Sequence, residues 1–255
     1  MRTIILFLTH SWSSNIKHRF DKLYKELDSS YKLVPLIQTP NNLHDLESDS
    51  DFYYFDTKSL STLGYKPIAK SIVPGSTHFP ILQYFRDFSA YDFYWKIEYD
   101  IFFTGNWSVF FNYYSTTKSD FITSNIHKYP YDPFWIWWNS LITNHEIPMR
   151  NRLCSFNPIC RFSNRSLRFL DSELKKGNCG HDEVLLPTLL YINKFTLLDI
   201  GKNSDKEFLL PNHKSFITKG ERYTSEYQSG SMRYRPLISI EEMTDKNILY
   251  HPFKD

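Results

Sequence analysis

Glycine is scarce in this chain, with eight among 255 residues. Backbone cradles for phosphate are built on glycine-rich loops, and neither G-x-x-x-x-G-K-[ST] nor G-x-G-x-x-G occurs. A P-loop and a Rossmann dinucleotide fingerprint are thereby excluded. There is also no G-x-S-x-G elbow and no H-E-x-x-H pair. Cysteine is equally rare. Cys154, Cys160 and Cys179 show no paired metal-ligand spacing, and so odd and small a number fits buried thiols in a reducing compartment. Charge of one sign is missing too: the net charge is +2, with no basic tract and no acidic tail, which argues against nucleic acid as a partner. No run approaches the ~20 apolar residues of a membrane helix. The opening "MRTIILFLTHSW" imitates a signal peptide, but Ile4 to Leu8 is too short for an h-region and no small-residue cleavage site follows. A first buried strand fits better, and a cytoplasmic protein is expected, with loose association at the inner face of the membrane left open.

Aromatics are what the chain has in excess: 21 Phe, 18 Tyr and 6 Trp, or 18%. Most of them are expected in a large core. The remainder offer flat faces suited to sugars and bases.

Hydrophobic patterning predicts a single α/β domain over 1–255. A strand at Thr3 to Leu8 is followed by a polar loop and then by "IKHRFDKLYKEL" at helical spacing. "YKLVPLIQ" and "DFYYFD" are strand candidates, with a loop around Pro40-Asn41-Asn42. "HFPILQYFRDF" reads as a helix, "YDFYWKIEYDIFF" as a strand ended by Gly105-Asn106, "WSVFFNYYSTT" as a helix and "SDFITSNI" as a strand. Past residue 126 the pattern gives a strand running into a helix at "SFNPICRFSNRSLRFLDSELKKG", a helix at "GHDEVLLPTLLYINKF" and a strand at "FTLLDIG". Such alternation predicts a mostly parallel central sheet flanked by helices. Ligands of such sheets sit at the carboxyl ends of strands, where Thr9 and His10 lie.

Within "KIEYD", strand alternation puts Glu98 and Asp100 on one side and Tyr99 on the other. Two carboxylates at a strand's carboxyl end repel. A hard divalent cation such as Mg²⁺ or Mn²⁺, completed by a diphosphate, would turn that repulsion into binding. Two solvated acids, or a pair neutralised by Lys96 and nearby arginines, would explain the same residues. Asp182 and Glu183 open the later helix, where negative charge is favoured electrostatically and where a carboxylate also suits a general base.

The order of these elements resembles a GT-A (Rossmann-like) nucleotide-sugar glycosyltransferase: strand–loop–helix, an acid-x-acid after an internal strand, an acidic pair opening a late helix, and a near-terminal His. The resemblance implies that Asp100 binds a Mn²⁺ or Mg²⁺ ion. Glu98, standing where the family more often has Asp, would touch the ribose or the metal shell, and His251 of "ILYHPFKD" would complete that shell. It further implies a nucleotide-sugar donor, UDP-sugars favoured, a glycan or lipid-linked acceptor, inverting hexosyl or N-acetylhexosaminyl transfer, and a role in polysaccharide biosynthesis. "GHDEVLLPTLL" is locally similar to the base-bearing segment of the core-2 branching N-acetylglucosaminyltransferases, which points to Glu183 as the base with Asp182 behind it. Those relatives use no metal, so the two likenesses differ there. In the same reading about 1–126 forms the donor half and about 127–255 the acceptor half. Arg233 and Arg235 would share one side of an extended "MRYR" and suit phosphate oxygens, with Lys254 as a further point charge. Trp135, Trp137 and Trp138 of "FWIWW" would form a platform for acceptor sugars, and Thr9 and His10 would hold the base or ribose. Two other readings remain, a metal-dependent hydrolase of sugar phosphates or nucleotide sugars, and a non-enzymatic carbohydrate-binding protein.

Overall fold

The structure is a computed structural model, and it describes residues 1–39, 51–202, 204–209, 214–220 and 228–254. The loop expected around Pro40-Asn41-Asn42 lies outside the described residues. Nine strands and six α-helices are described. The strands are β1 (Thr3–Thr9), β2 (Tyr31–Gln38), β3 (Tyr53–Phe55), β4 (Phe93–Glu98), β5 (Phe102–Phe103), β6 (Phe121–Lys128), β7 (Leu153–Ser163), β8 (Leu197–Asp199) and β9 (Leu249–Tyr250). The helices are α1 (Ser14–Glu26), α2 (Thr57–Ser61), α3 (His78–Asp87), α4 (Trp107–Ser115), α5 (Asn164–Lys175) and α6 (Asp182–Ile192).

Seven strands form one sheet in the order β3-β2-β1-β4-β7-β6-β8. β7 runs antiparallel to both its neighbours, β4 and β6, and the other pairings are parallel. The fold is therefore α/β with a mostly parallel central sheet flanked by helices, the class that the patterning predicts. β5 and β9 make a separate two-stranded ribbon.

Strand alternation sorts the core into two layers. Ile4, Leu6 and Leu8 of β1 and Tyr94 of β4 face the side covered by α3, α5 and α6. Ile5 and Phe7, with Trp95 and Ile97, face the side covered by α1 and α4. The continuous apolar run of β1 is thus a strand buried on both faces, as parallel strands are. The same parity sends Lys96 and Glu98 toward the α3 and α6 side.

One boundary differs from the sequence reading. β4 ends at Glu98, and Tyr99 and Asp100 form a turn. The apolar residues beyond, Phe102 and Phe103, belong to β5, which pairs with β9 near the C-terminus. Asp100 is therefore placed by a turn after the strand rather than by alternation within it. From residue 228 onward the chain returns as a strap to the end of β4. Arg19 of α1 clasps the turn to the strap, donating from Nη1 to the carbonyls of Tyr99 (2.9 Å) and Phe253 (3.0 Å).

Candidate functional site

A cleft of about 940 Å³ opens at the carboxyl ends of β1 and β4. That is the size range of small-molecule and cofactor sites. Glu98, Asp100, His251, Asp182, Glu183, Trp135 and Trp137 all line it, so residues from both halves of the chain meet there.

Three of them form a cluster. Glu98, Asp100 and His251 each offer a ligand atom, and these atoms lie within 4.8 Å of one another. His251 is held from behind. Its Nδ1 lies 2.8 Å from the Arg233 carbonyl, while its backbone N–H donates to Ser231 and its carbonyl accepts from the N–H of Arg233. Such a carbonyl contact fixes the ring and presents the other nitrogen. Nε2 stands 3.4 Å from Asp100 Oδ1. Asp100 is fixed in turn by Phe253, whose N–H donates to its carbonyl. Burial pushes the Asp100 carboxyl up, but His251 and Lys254 more than offset that and hold its pKa below the ordinary value. Burial likewise disfavours charge on His251, and Asp100 and Glu98 raise its pKa in spite of it. Asp100 Oδ1 is buried and accepts no hydrogen bond. A buried carboxylate oxygen without a donor, beside an imidazole nitrogen and a second acid, fits a divalent cation with mixed O/N ligands.

Glu98 has a second partner. Lys96 is 2% exposed, and its Nζ lies 2.7 Å from Glu98 Oε1. Burial lowers the Lys96 pKa, but Glu98, Cys160 and Asp182 override it, and the ammonium stays charged with its pKa above the ordinary value. The neutralising partner posed by the sequence, Lys96, is in place, and Glu98 also belongs to the cluster of possible ligand atoms.

The second cluster opens α6. His181 caps the helix, its Nδ1 accepting from the Glu183 N–H at 3.3 Å. Asp182 donates its backbone N–H to the Gly75 carbonyl (3.0 Å). Gly75 has φ +79°, and a Cβ there would stand 2.8 Å from the His181 ring, so only glycine lets the two segments meet. The Asp182 side chain turns inward. Oδ2 accepts from the Thr77 hydroxyl at 2.8 Å, and Oδ1 lies 3.2 Å from His181 Nδ1. Burial would raise its pKa, but His181, Lys96 and His78 hold it far below the usual carboxylate range. A carboxylate so acidic and so engaged is a weak proton acceptor, which keeps Asp182 behind Glu183 as a candidate base. Glu183 is half-buried on the cleft wall, its Oε2 4.0 Å from His181 Nδ1.

The tryptophans divide. Trp135 and Trp137 line the cleft, and Trp137 stacks on His181 with centroids 4.4 Å apart. Trp138 does not join them. It is 1% exposed, packed edge-on against Tyr129 and Trp135, and its Nε1 donates to the Asp132 carbonyl at 2.6 Å. The platform expected of three rings is a pair standing on a core residue.

The arginines divide as well. Arg233 is buried, its guanidinium donating to the carbonyls of Pro236 and Leu237 and to Glu242. It supports the strap, since a buried guanidinium needs its donors filled. Arg235 is exposed at the cleft and stacked on Tyr234. Lys254 also lines the cleft, with its Nζ 5.9 Å from the Tyr99 ring centroid. Thr9 is buried, its hydroxyl donating to the Ser11 carbonyl at 2.7 Å, so it shapes the loop after β1. His10 is exposed beside it, edge-on to Tyr99 at 4.8 Å.

Sequence reasoning missed Thr77, Asn125 and Asn157. Thr77 precedes a helix and reads as a cap. Asn125 lines the cleft from a bulge in β6, with φ +54°. Asn157 lies within β7, 2% exposed, with Oδ1 receiving the hydroxyls of Thr123 and Ser155. Bulges that re-aim side chains near functional sites leave no strong mark in a single sequence.

No protein-family model and no curated protein matches the chain. Among solved structures it is similar to a putative glucose-1-phosphate thymidylyltransferase from Bacillus anthracis, crystallised with a sucrose, at 11% identity and TM-score 0.44 over 80% of this chain and 87% of that one. It is also similar to the galactosyltransferase LgtC in complex with donor and acceptor sugar analogues, at 9% identity and TM-score 0.43 over 73% and 70%. A glycosyltransferase that acts on the major capsid of PBCV-1 aligns at 10% identity and TM-score 0.34 over 67% and 63%. Similarity at this level assigns no role to any residue. The sheet order and the placement of the acids stand on the geometry above.

Proposed function

We propose that the protein is a GT-A-type glycosyltransferase. It moves a hexosyl or N-acetylhexosaminyl group from a nucleotide-diphosphate sugar, UDP-sugars first, to a hydroxyl of a glycan or lipid-linked acceptor, with inversion. The observation that carries this reading is convergence. An acid-x-acid at the end of a central strand, a histidine from a distant strap and an acid at a helix start line one cleft of suitable size.

Asp100 and His251, with the remaining oxygen of Glu98, would hold Mn²⁺ or Mg²⁺, and the imidazole favours Mn²⁺. A bound divalent ion would supply Lewis-acid stabilisation of the leaving diphosphate. Arg235 and Lys254 add positive charge at the same mouth. His10 and Tyr99 stand where a base or ribose would rest. Glu183 would take the proton of the acceptor hydroxyl as that hydroxyl attacks. Trp135 and Trp137 would stack on the acceptor sugar. Phe134 and Ile136, beside them, are 91% and 68% exposed, which supports an acceptor with an apolar part or a site of work at a membrane face in polysaccharide biosynthesis. No described helix is long and apolar enough to cross a membrane. The buried thiols Cys154, Cys160 and Cys179 support a cytoplasmic setting.

A thermal-shift screen of UDP-, GDP- and CMP-sugars, with and without Mn²⁺, tests the reading. A shift with one nucleotide that depends on the metal is expected. No shift with any of them would overturn it. Turnover of the donor independent of any acceptor would make the protein a hydrolase instead.

A further inference from the structure

Thr77 stands at the N-cap position of α3, where a threonine ordinarily accepts a hydrogen bond from its own helix. Here its side chain makes no cap hydrogen bond. Its hydroxyl instead receives Lys96 Nζ at 2.8 Å and donates to Asp182 Oδ2 at 2.8 Å. An ammonium only donates and a carboxylate only accepts, so the hydroxyl's single proton must point to Asp182. The direction of both bonds at Thr77 is therefore fixed. The hydrogen bonds run from Glu98 Oε1 to Lys96 (2.7 Å), to Thr77 and to Asp182, whose Oδ1 lies 3.2 Å from Nδ1 of His181, the residue that caps the turn bearing Glu183.

The partners come from three elements. Lys96 and Glu98 lie on β4, Thr77 at the start of α3, and Asp182 at the start of α6. Lys96 and Asp182 are 2% and 4% exposed, so both charges depend on this hydroxyl and on each other.

We infer that Thr77 is a positioning residue whose hydroxyl ties the first turn of α6 to the end of β4 and so sets where Glu183 stands relative to the donor carboxylates. The inference rests on the glycosyltransferase reading for its effect on rate, and for its effect on His181 only on the Thr77–Asp182 hydrogen bond and the 3.2 Å approach of Asp182 to the ring. Thr77 touches neither reacting group. Its loss should misplace the base without emptying the donor site, and displacements on the order of an ångström cost up to ~100-fold in rate.

The test compares Thr77→Val, which keeps the shape and removes the hydroxyl, with Thr77→Ser, which keeps the hydroxyl. Thr77→Val should bind the nucleotide sugar with Mn²⁺ within about twofold of the parent and lower kcat by about tenfold, and Thr77→Ser should restore kcat. An unchanged kcat in Thr77→Val, or a fall in donor affinity as large as the fall in kcat, would overturn the inference. The ring ¹⁵N resonances of His181, read by NMR without any substrate, give an answer independent of activity. They should move in Thr77→Val and return in Thr77→Ser. If the parent transfers no sugar, the functional reading fails, and the His181 resonances alone decide the relay. If they stay in place in Thr77→Val, the relay is wrong.

Discussion

The cleft holds two pairs of acids, Glu98 with Asp100 and Asp182 with Glu183, and the structure treats both pairs alike. In each, one acid has close side-chain partners, and the other is the one that the proposed function assigns to a ligand. Glu98 shares an oxygen with Lys96, while Asp100 keeps an oxygen that accepts no hydrogen bond. Asp182 is bound to Thr77 and His181, while Glu183 stands on the cleft wall. The difference lies in what finishes each site. The first needs the strap, which carries His251 from the far end of the chain. The second is completed locally by the His181 cap. Adjacent acids are thus not two copies of one function. On the proposed reading, one member of each pair mainly neutralises the frame around it, and the other would carry the main contact to a ligand.

The broadest effect, on both donor binding and transfer, should come from breaking the first pair at Asp100, the proposed ligand. Asp100→Ala is expected to abolish the Mn²⁺-dependent thermal shift with a nucleotide sugar and to reduce transfer by more than ~100-fold, since it removes a primary oxygen ligand. Full transfer by Asp100→Ala in the presence of chelator would show that no metal works here.

The second pair is separated by Glu183→Gln and Asp182→Asn. Glu183→Gln should leave the melting temperature and donor affinity in place and lower kcat by about 10²- to 10⁴-fold, the range for a lost general base. Asp182→Asn should act chiefly on stability, costing about 1–3 kcal/mol, because it weakens the buried hydrogen bond from Thr77 and removes a negative charge from a buried site near Lys96. If urea unfolding and kcat ranked the two variants the other way round, the division of labour would be reversed.

His78 sharpens the comparison through pH. It is 3% exposed, beside Asp182 and Lys96, and neither ring nitrogen has a hydrogen-bond partner. Burial depresses its pKa from 6.5 to about 4. Between those values the unfolded chain binds a proton that the folded one refuses. Stability should therefore be full above about pH 6.5 and should fall as pH drops toward 4, by about 3 kcal/mol from this group. Urea titrations at pH 7 and pH 4.5 check this. His78→Phe should flatten the slope between them, and an equal slope in the variant would place the titration elsewhere.

Much of this was legible in the sequence and some was not, for physical reasons. Period-2 and period-3.6 patterning fixed nearly every element, because burial on one or two faces writes itself into the chain. β2 was read residue for residue. The acid-x-acid of "KIEYD" was legible because charge inside an apolar run is costly. Even the approach of Lys96 to Glu98 was implicit, since positions two apart share a strand face. Thr77 was not legible, since it stands 105 residues from Asp182 and looks like an ordinary cap. The burial of Arg233 was not legible, because an alternating Arg-Tyr-Arg says nothing of Glu242, which accepts from its Nη2 from a nearby turn.

The smallest expected effect concerns the aromatic run, where the sequence could not rank Trp135, Trp137 and Trp138. They sit in and beside a 3-10 turn over Ile136–Ser140, where neighbouring residues point to different sides. Trp137 stacks on His181 at the cleft, and Trp138 fills the core below. Trp137→Ala should therefore raise the acceptor KM by about tenfold, a stacking contribution on the order of 1 kcal/mol, with little change in melting temperature. Trp138→Ala should do the opposite, losing about 3–5 kcal/mol of stability through the cavity it leaves. An acceptor KM that moved with Trp138→Phe and not with Trp137→Ala would put the acceptor outside this wall of the cleft.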